Sequence, residues 1–219
     1  MSIIKILVEG PTEILFVNDV LKPFFVEKGI AVRPFLLQEG GGVPKYPRSQ
    51  KQILNTIKAD RYCYCTTLVD FYGLPKDWPG RKDADRRRAY LEKAATVEEA
   101  LSADICTQLG PSFDQSRFIP YVQMHEFEAL LFSDISVLAG PNPTISMRLA
   151  AILVSFSCPE EINDNYDTCP SRRIMQHIEN YVKPVDGIVA AHKIGLARMR
   201  QECPHFNEWI TKLEGIGKQ

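Results

Sequence analysis

Residues 3–13 read Ile3-Ile4-Lys5-Ile6-Leu7-Val8-Glu9-Gly10-Pro11-Thr12-Glu13. The first six, apolar except for Lys5, form the run expected of a strand covered on both faces in a parallel sheet. Gly10 then supplies a turn, Pro11 suits the first position of a helix, and Glu13 puts an acid in its first turn. Ile14, Leu15, Val17, Val20 and Leu21 continue at helical spacing. The stretch is a strand-turn-helix unit, and Glu9 stands at the carboxyl end of its strand, where open α/β sheets carry their sites.

The alternation continues outward from there. Ala31 to Leu37 is expected as a second strand, Glu39-Gly40-Gly41-Gly42 as a loop, and Ser49 to Ala59 as a short helix. Tyr62 to Phe71, rich in β-branched and aromatic residues, forms a third strand with Asp70 at its end; Tyr72-Gly73-Leu74-Pro75 and Trp78-Pro79-Gly80 must be loop. Lys82 to Leu101 then reads as a charged helix, Arg117 to Met124 as a strand and His125 to Phe132 as a helix. The simplest packing of this order is a parallel sheet with helices on both sides. Beyond it the chain reads as helical: a helix from Pro170 containing Ile174, Ile178 and Tyr181, a second from Ile188 to Gln201 and a third from Phe206 to Leu213. With no repeat or polar linker, the expectation is an α/β core over 1–135 with a helical region over 136–219 packed on it as one body.

Composition sets limits on function. With 45% of its 219 residues hydrophobic, the chain can bury a sizeable core. No run approaches the roughly 18 apolar residues that span a bilayer, so no membrane span and a cytoplasmic location are expected. The 6 cysteines lack the spacing of a secreted disulfide scaffold or a structural zinc site and are expected to be reduced. A net charge of -1 excludes coating of nucleic acid by bulk electrostatics, so any polyanion must be met by a local basic groove.

Glu9, Asp70 and the Glu126/Glu128 pair all follow strands and should meet at one sheet edge. Carboxylate oxygens converging there suit Mg²⁺, a hard ion that would let the site clamp a phosphodiester. Other chemistries lack their motifs. The second histidine of a zinc-protease pattern beginning at His125-Glu126 falls on Ala129, the triple glycine lacks a following Lys-Ser/Thr, and no Gly-x-Ser-x-Gly is present. Each acid also has a plainer use: Glu13 at the positive end of its helix, Asp70 capping the Tyr72-Gly73 turn, Glu128 hydrogen-bonded to His125. Arg81, Lys82, Arg86, Arg87 and Arg88, interleaved with Asp83 and Asp85, read as a solvated helix face.

Taken together, residues 8–13, Leu68-Val69-Asp70-Phe71-Tyr72-Gly73-Leu74-Pro75 and Gln123-Met124-His125-Glu126-Phe127-Glu128-Ala129-Leu130-Leu131-Phe132 resemble the DUF4276 family. Pro170-Ser171-Arg172-Arg173-Ile174, Tyr181-Val182-Lys183 and Cys203-Pro204-His205-Phe206 extend the likeness over nearly the whole chain. That family is similar to TOPRIM domains, whose enzymes include OLD-type nucleases and carry a glutamate after the first strand and Asp-x-Asp after a later one. The resemblance implies a TOPRIM-like parallel sheet. Glu9 would be general acid/base or metal ligand, and Asp70 a ligand of Mg²⁺. Tyr72 stands where the second aspartate would fall, so Glu13, Glu126 or Glu128 would have to supply the missing oxygen. Arg172, Arg173 and Lys183, with Lys193, are the basic positions for phosphate contact. Nucleic acid is the implied substrate and an ATPase the implied partner; a catalytically silent binding module is the alternative that Tyr72 motivates.

Overall fold

A computed structural model describes residues 2–162 and 165–218. Strands β1 (Ser2–Val8), β2 (Ile30–Leu36), β3 (Cys63–Asp70) and β4 (Phe118–Ile119) form a parallel sheet in the order β2-β1-β3-β4, and β5 (Val122–Gln123) also pairs with β3. β1 lies between β2 and β3 and meets apolar side chains on both faces, which is what its unbroken apolar run requires. Ile4, Ile6 and Val8 enter one core and Leu7 the other. Val8 is level with Leu36 and Leu68, so β1 and β2 end together and β3 runs two residues further, to Asp70.

The two faces are covered by different parts of the chain. α1 (Pro11–Phe16), a π-helical turn over Val17–Leu21 and α2 (Lys22–Val26) run without interruption across the first face. α3 (Tyr46–Lys58), α4 (Arg81–Ala84) and α5 (Tyr90–Leu109) cover the second, burying Ile53, Ile57, Val97 and Leu101 beside Leu7 and Val69. A 3-10 helix, Phe127–Ser133, returns to the first face. It is followed by α6 (Ile135–Ala139), α7 (Pro143–Leu153), α8 (Pro170–Met175), α9 (Ile188–Ile194), α10 (Leu196–Glu202) and α11 (Pro204–Gly215).

These C-terminal helices share the core of the sheet. The Phe16 ring lies 5.1 Å from that of Phe127 and 6.2 Å from that of Phe206. Trp209 stacks on Tyr121 at 4.4 Å and donates its indole N–H to Thr66 Oγ1 at 2.9 Å. Glu160, 0% exposed, accepts from the backbone N–H groups of His205 (2.9 Å) and Phe206 (3.0 Å), satisfying the free donors at the start of α11.

Several elements differ from the sequence expectation for identifiable reasons. The strand expected over 117–124 is interrupted at Pro120, which has no N–H to donate, and survives as β4 and β5. The helix expected over 188–201 breaks at Gly195, whose φ of +76° is left-handed. The helix from Pro170 ends at Met175, before Ile178 and Tyr181, and the helix expected over 125–132 is 3-10. The charged helix begins as the separate turn α4. There Arg81 is not solvated: it is 4% exposed, with its guanidinium 3.9 Å from the Phe71 ring centroid. All the cysteines are free, and no described helix is long and apolar enough to cross a membrane.

Trp209→Ala is expected to lower the unfolding free energy by about 3–5 kcal/mol in urea titration, since it removes a buried aromatic and its hydrogen bond to Thr66 Oγ1. A loss below about 1 kcal/mol would mean that α11 is not part of the core.

Candidate functional site

The site begins where β1 and β3 end side by side. The Glu9 side chain reaches across to β3, and its Oε2 accepts the backbone N–H of Asp70 at 3.2 Å. The β3–β5 ladder continues past the strands: Phe71 N–H donates to the Gln123 carbonyl at 2.9 Å and Tyr72 N–H to that of His125 at 3.0 Å. This draws the segment carrying Glu126 and Glu128 to the same edge. Glu13, in the first turn of α1, is buried there too. Two glycines keep the space open. A Cβ at Gly73 would lie 3.2 Å from Glu9 Oε1, and one at Gly10 3.2 Å from Glu13 Oε2.

One cation enters this group from the protein itself. Lys183 Nζ lies 3.1 Å from Glu128 Oε2 and 3.7 Å from Glu126 Oε1. Glu126 also accepts from Ser171, from the backbone N–H at 2.9 Å and from the hydroxyl at 3.2 Å, so it holds the first turn of α8 against the site. Burial pulls the Lys183 pKa down, but Glu128 and Glu126 outweigh it and the net shift is upward, so its ammonium stays charged.

A single ammonium does not neutralise the carboxylates. Burial raises Glu13 to about 7, with the Glu9 charge adding to it. Burial likewise raises Glu128 to about 7 against the pull of Lys183. Glu9 is raised by burial, restrained by the Asp70 N–H and by Lys183. Asp70 is raised well above its ordinary value, by burial and then by Glu9, Glu13, Glu128 and Glu126. Although Asp70 as a residue is half-buried, its Oδ1 is enclosed and has no hydrogen-bond partner among the described residues.

That orphaned oxygen, and a donor set made wholly of carboxylates, fit a hard divalent cation such as Mg²⁺. As they stand, no three His, Cys, Asp or Glu side chains among the described residues are gathered closely enough to hold an ion. Tyr72, at the position of a second aspartate, leaves its side chain 37% exposed at the surface.

The remaining sequence candidates divide. Glu9, Glu13, Asp70, Glu126 and Glu128 come to one edge, and Lys183 joins them as their counter-ion. Arg172 and Arg173 lie on α8 with partners of their own: Arg172 donates to the Tyr166 hydroxyl at 2.6 Å and Arg173 Nε to the Thr168 carbonyl at 2.6 Å. His125 Nδ1 meets the Ile162 carbonyl at 2.7 Å, and its ring packs edge-on against Phe71. Sequence reasoning missed the pairing of Lys183 with Glu126 and Glu128, and the only signal for it was a basic residue in the family-like Tyr181-Val182-Lys183 segment.

A parallel sheet covered on both faces by helices, with acids gathered at the carboxyl ends of its strands, defines the chain as an α/β protein. The chain belongs to the DUF4276 family, a domain of unknown function whose family model matches residues 8–214. No curated protein matches it. The C-terminal region of the Xanthomonas campestris pv. campestris OLD protein is similar to it in structure, with 17% identity, 97% of each chain covered and a TM-score of 0.36.

The raised carboxyls set the pH dependence. Folded Glu13 and Glu128 keep their protons up to about 7, whereas the ordinary value is 4.5. Between those limits the folded state binds more protons than the unfolded, so stability is lost as pH rises through the window. In EDTA the melting temperature should fall from about pH 5 to about pH 8, and the fall should shrink in Glu128→Gln. A rising profile, or a Glu128→Gln profile parallel to the wild type, would contradict the assignment.

Proposed function

We propose that this chain is a metal-dependent phosphoryl-transfer enzyme acting on nucleic acid, a TOPRIM-like nuclease that works with an ATPase partner as OLD-type systems do. One observation carries the reading. Buried and half-buried carboxylates at the ends of β1 and β3, in α1 and around the 3-10 segment share one sheet edge with Lys183, and Asp70 Oδ1 is left without a partner among the described residues.

On this reading Glu9 and Asp70 hold Mg²⁺, with Glu13, Glu126 or Glu128 completing the set, and the ion supplies Lewis-acid stabilisation of the phosphoryl oxygens. Glu13, poised at about 7, can give or take a proton at neutral pH, and burial raises Glu9 as well. Lys183 contributes a fixed positive charge beside Glu128. Arg172 and Arg173, in the short helix α8 beside Glu126, are the arginines that would meet a phosphate at the rim.

A second reading, a catalytically silent binding module, is favoured by Tyr72 in place of a second aspartate and by the absence of a ready three-ligand group among the described residues. Cleavage assays separate the two. Single- and double-stranded DNA and RNA are incubated with Mg²⁺ or Mn²⁺, with and without a genomic-neighbour ATPase. Cleavage by the wild type should fall at least about 100-fold in Glu9→Gln and in Asp70→Asn. Cleavage that survives in Asp70→Asn would refute the assignment, and no cleavage of any substrate would favour the silent module.

A further inference from the structure

A second, oppositely charged feature lies outside the carboxylate edge. Lys5 on β1 is level with Arg33 on β2, and Leu7 with Phe35. Side chains alternate along a strand, so Lys5, Arg33 and Phe35 lie on the sheet face that α3 covers. Between this face and α3 runs a cleft of about 390 Å³ whose walls include Lys5, Phe35, Arg48 and Lys51. Arg33 is exposed on the same strand. Among the described residues none of Lys5, Arg33, Arg48 and Lys51 is ion-paired. In a chain of net charge -1, this is a local run of uncompensated positive charge.

Phe35 has no packing reason to be where it is. Its register partner Leu7 is fully buried, yet Phe35 is 42% exposed on an edge strand, set among basic groups. Positive charge that tracks a phosphate backbone, combined with an open aromatic face, is the recognition chemistry of single-stranded nucleic acid. The concave volume suits a base and its sugar-phosphate; it is the size of a small-ligand pocket.

The cleft also leads somewhere. Leu7, opposite Phe35, precedes Glu9 by two residues, about 7 Å along the strand. The Gly40-Gly41-Gly42 loop lies beside Glu9: its φ angles are between 83° and 86°, and a Cβ at Gly41 would come within 3.7 Å of the Glu9 carbonyl oxygen. Side chains are disfavoured at such φ, so the loop beside Glu9 presents bare backbone.

We propose that the β2–α3 cleft is a binding track for single-stranded nucleic acid, with Lys5, Arg33, Arg48 and Lys51 on the phosphates and Phe35 stacked on a base, aimed at the carboxylate edge. The direction of the track rests on the phosphoryl-transfer reading; binding in the track does not.

The test is fluorescence anisotropy with a labelled oligothymidylate in EDTA across a salt series. The paired change Arg48→Ala/Lys51→Ala should reduce the slope of log affinity against log salt by about 1.4, roughly 0.7 per contact. Phe35→Ala should weaken binding about tenfold with the slope unchanged. Arg86→Ala/Arg87→Ala, on an exposed stretch elsewhere, should bind as the wild type does. All these side chains are exposed, so folding is expected to survive and is checked by circular dichroism. An unchanged slope in the paired variant, wild-type affinity in Phe35→Ala, or tighter binding of a duplex or of phosphatidylserine vesicles overturns the proposal. Because EDTA removes divalent ions, a protein that never cleaves still gives the expected result, so failure of the nuclease reading and failure of the track are told apart.

Discussion

Buried negative charge at the carboxyl edge of the sheet is the constraint on which the rest of this structure depends. Carboxylates resist removal from water unless they are paired, protonated or bound to a cation. Here the first two solutions are seen, and one oxygen is left without either. Lys183 pairs with Glu128 and Glu126, Glu13 and Glu128 keep protons up to about 7, and Asp70 retains an enclosed oxygen with no partner among the described residues. On the reading proposed above, this surplus of acid over base is what a cation site requires.

The fold exists to hold that edge shut. β1 can end in Glu9 at the heart of the protein because both its faces are buried, one under the helical run of 11–26 and the C-terminal helices, the other under α3 and α5. The C-terminal region does more than cover a face. It delivers Lys183 and the Ser171 groups that orient Glu126, and it is anchored by Trp209 on Tyr121 and by Glu160 at the start of α11. Stability and site chemistry are therefore linked through the same helices, and they respond to pH in opposite directions: deprotonating Glu13 and Glu128 costs stability but frees oxygens for a cation.

Glu9 and Asp70 could be located from sequence because each ends a strongly apolar run, and a strand's carboxyl end is a definite place in a parallel sheet. Glu126 and Glu128 could also be located, although Pro120 divides the strand before them and their helix is 3-10. What stayed hidden depends on contacts that no local pattern encodes. Lys183 meets Glu128 across 55 positions of chain. Arg81 and Asp85, four residues apart, look like a surface ion pair until Phe71 is placed beneath the guanidinium. The basic cleft is assembled from single charges on β1, β2 and α3, each unremarkable on its own element.

On the proposed reading, positive charge on one side of the sheet edge would hold a phosphate backbone and negative charge at its end would bind a cation. The second of these is the central claim, and diffraction measures it directly. Crystals soaked in Mn²⁺ and recorded at the manganese edge should show an anomalous peak within about 2–2.5 Å of Asp70 Oδ1 and of a Glu9 oxygen. A map with no peak at the carboxylate edge, or with manganese bound only elsewhere on the protein, would contradict it.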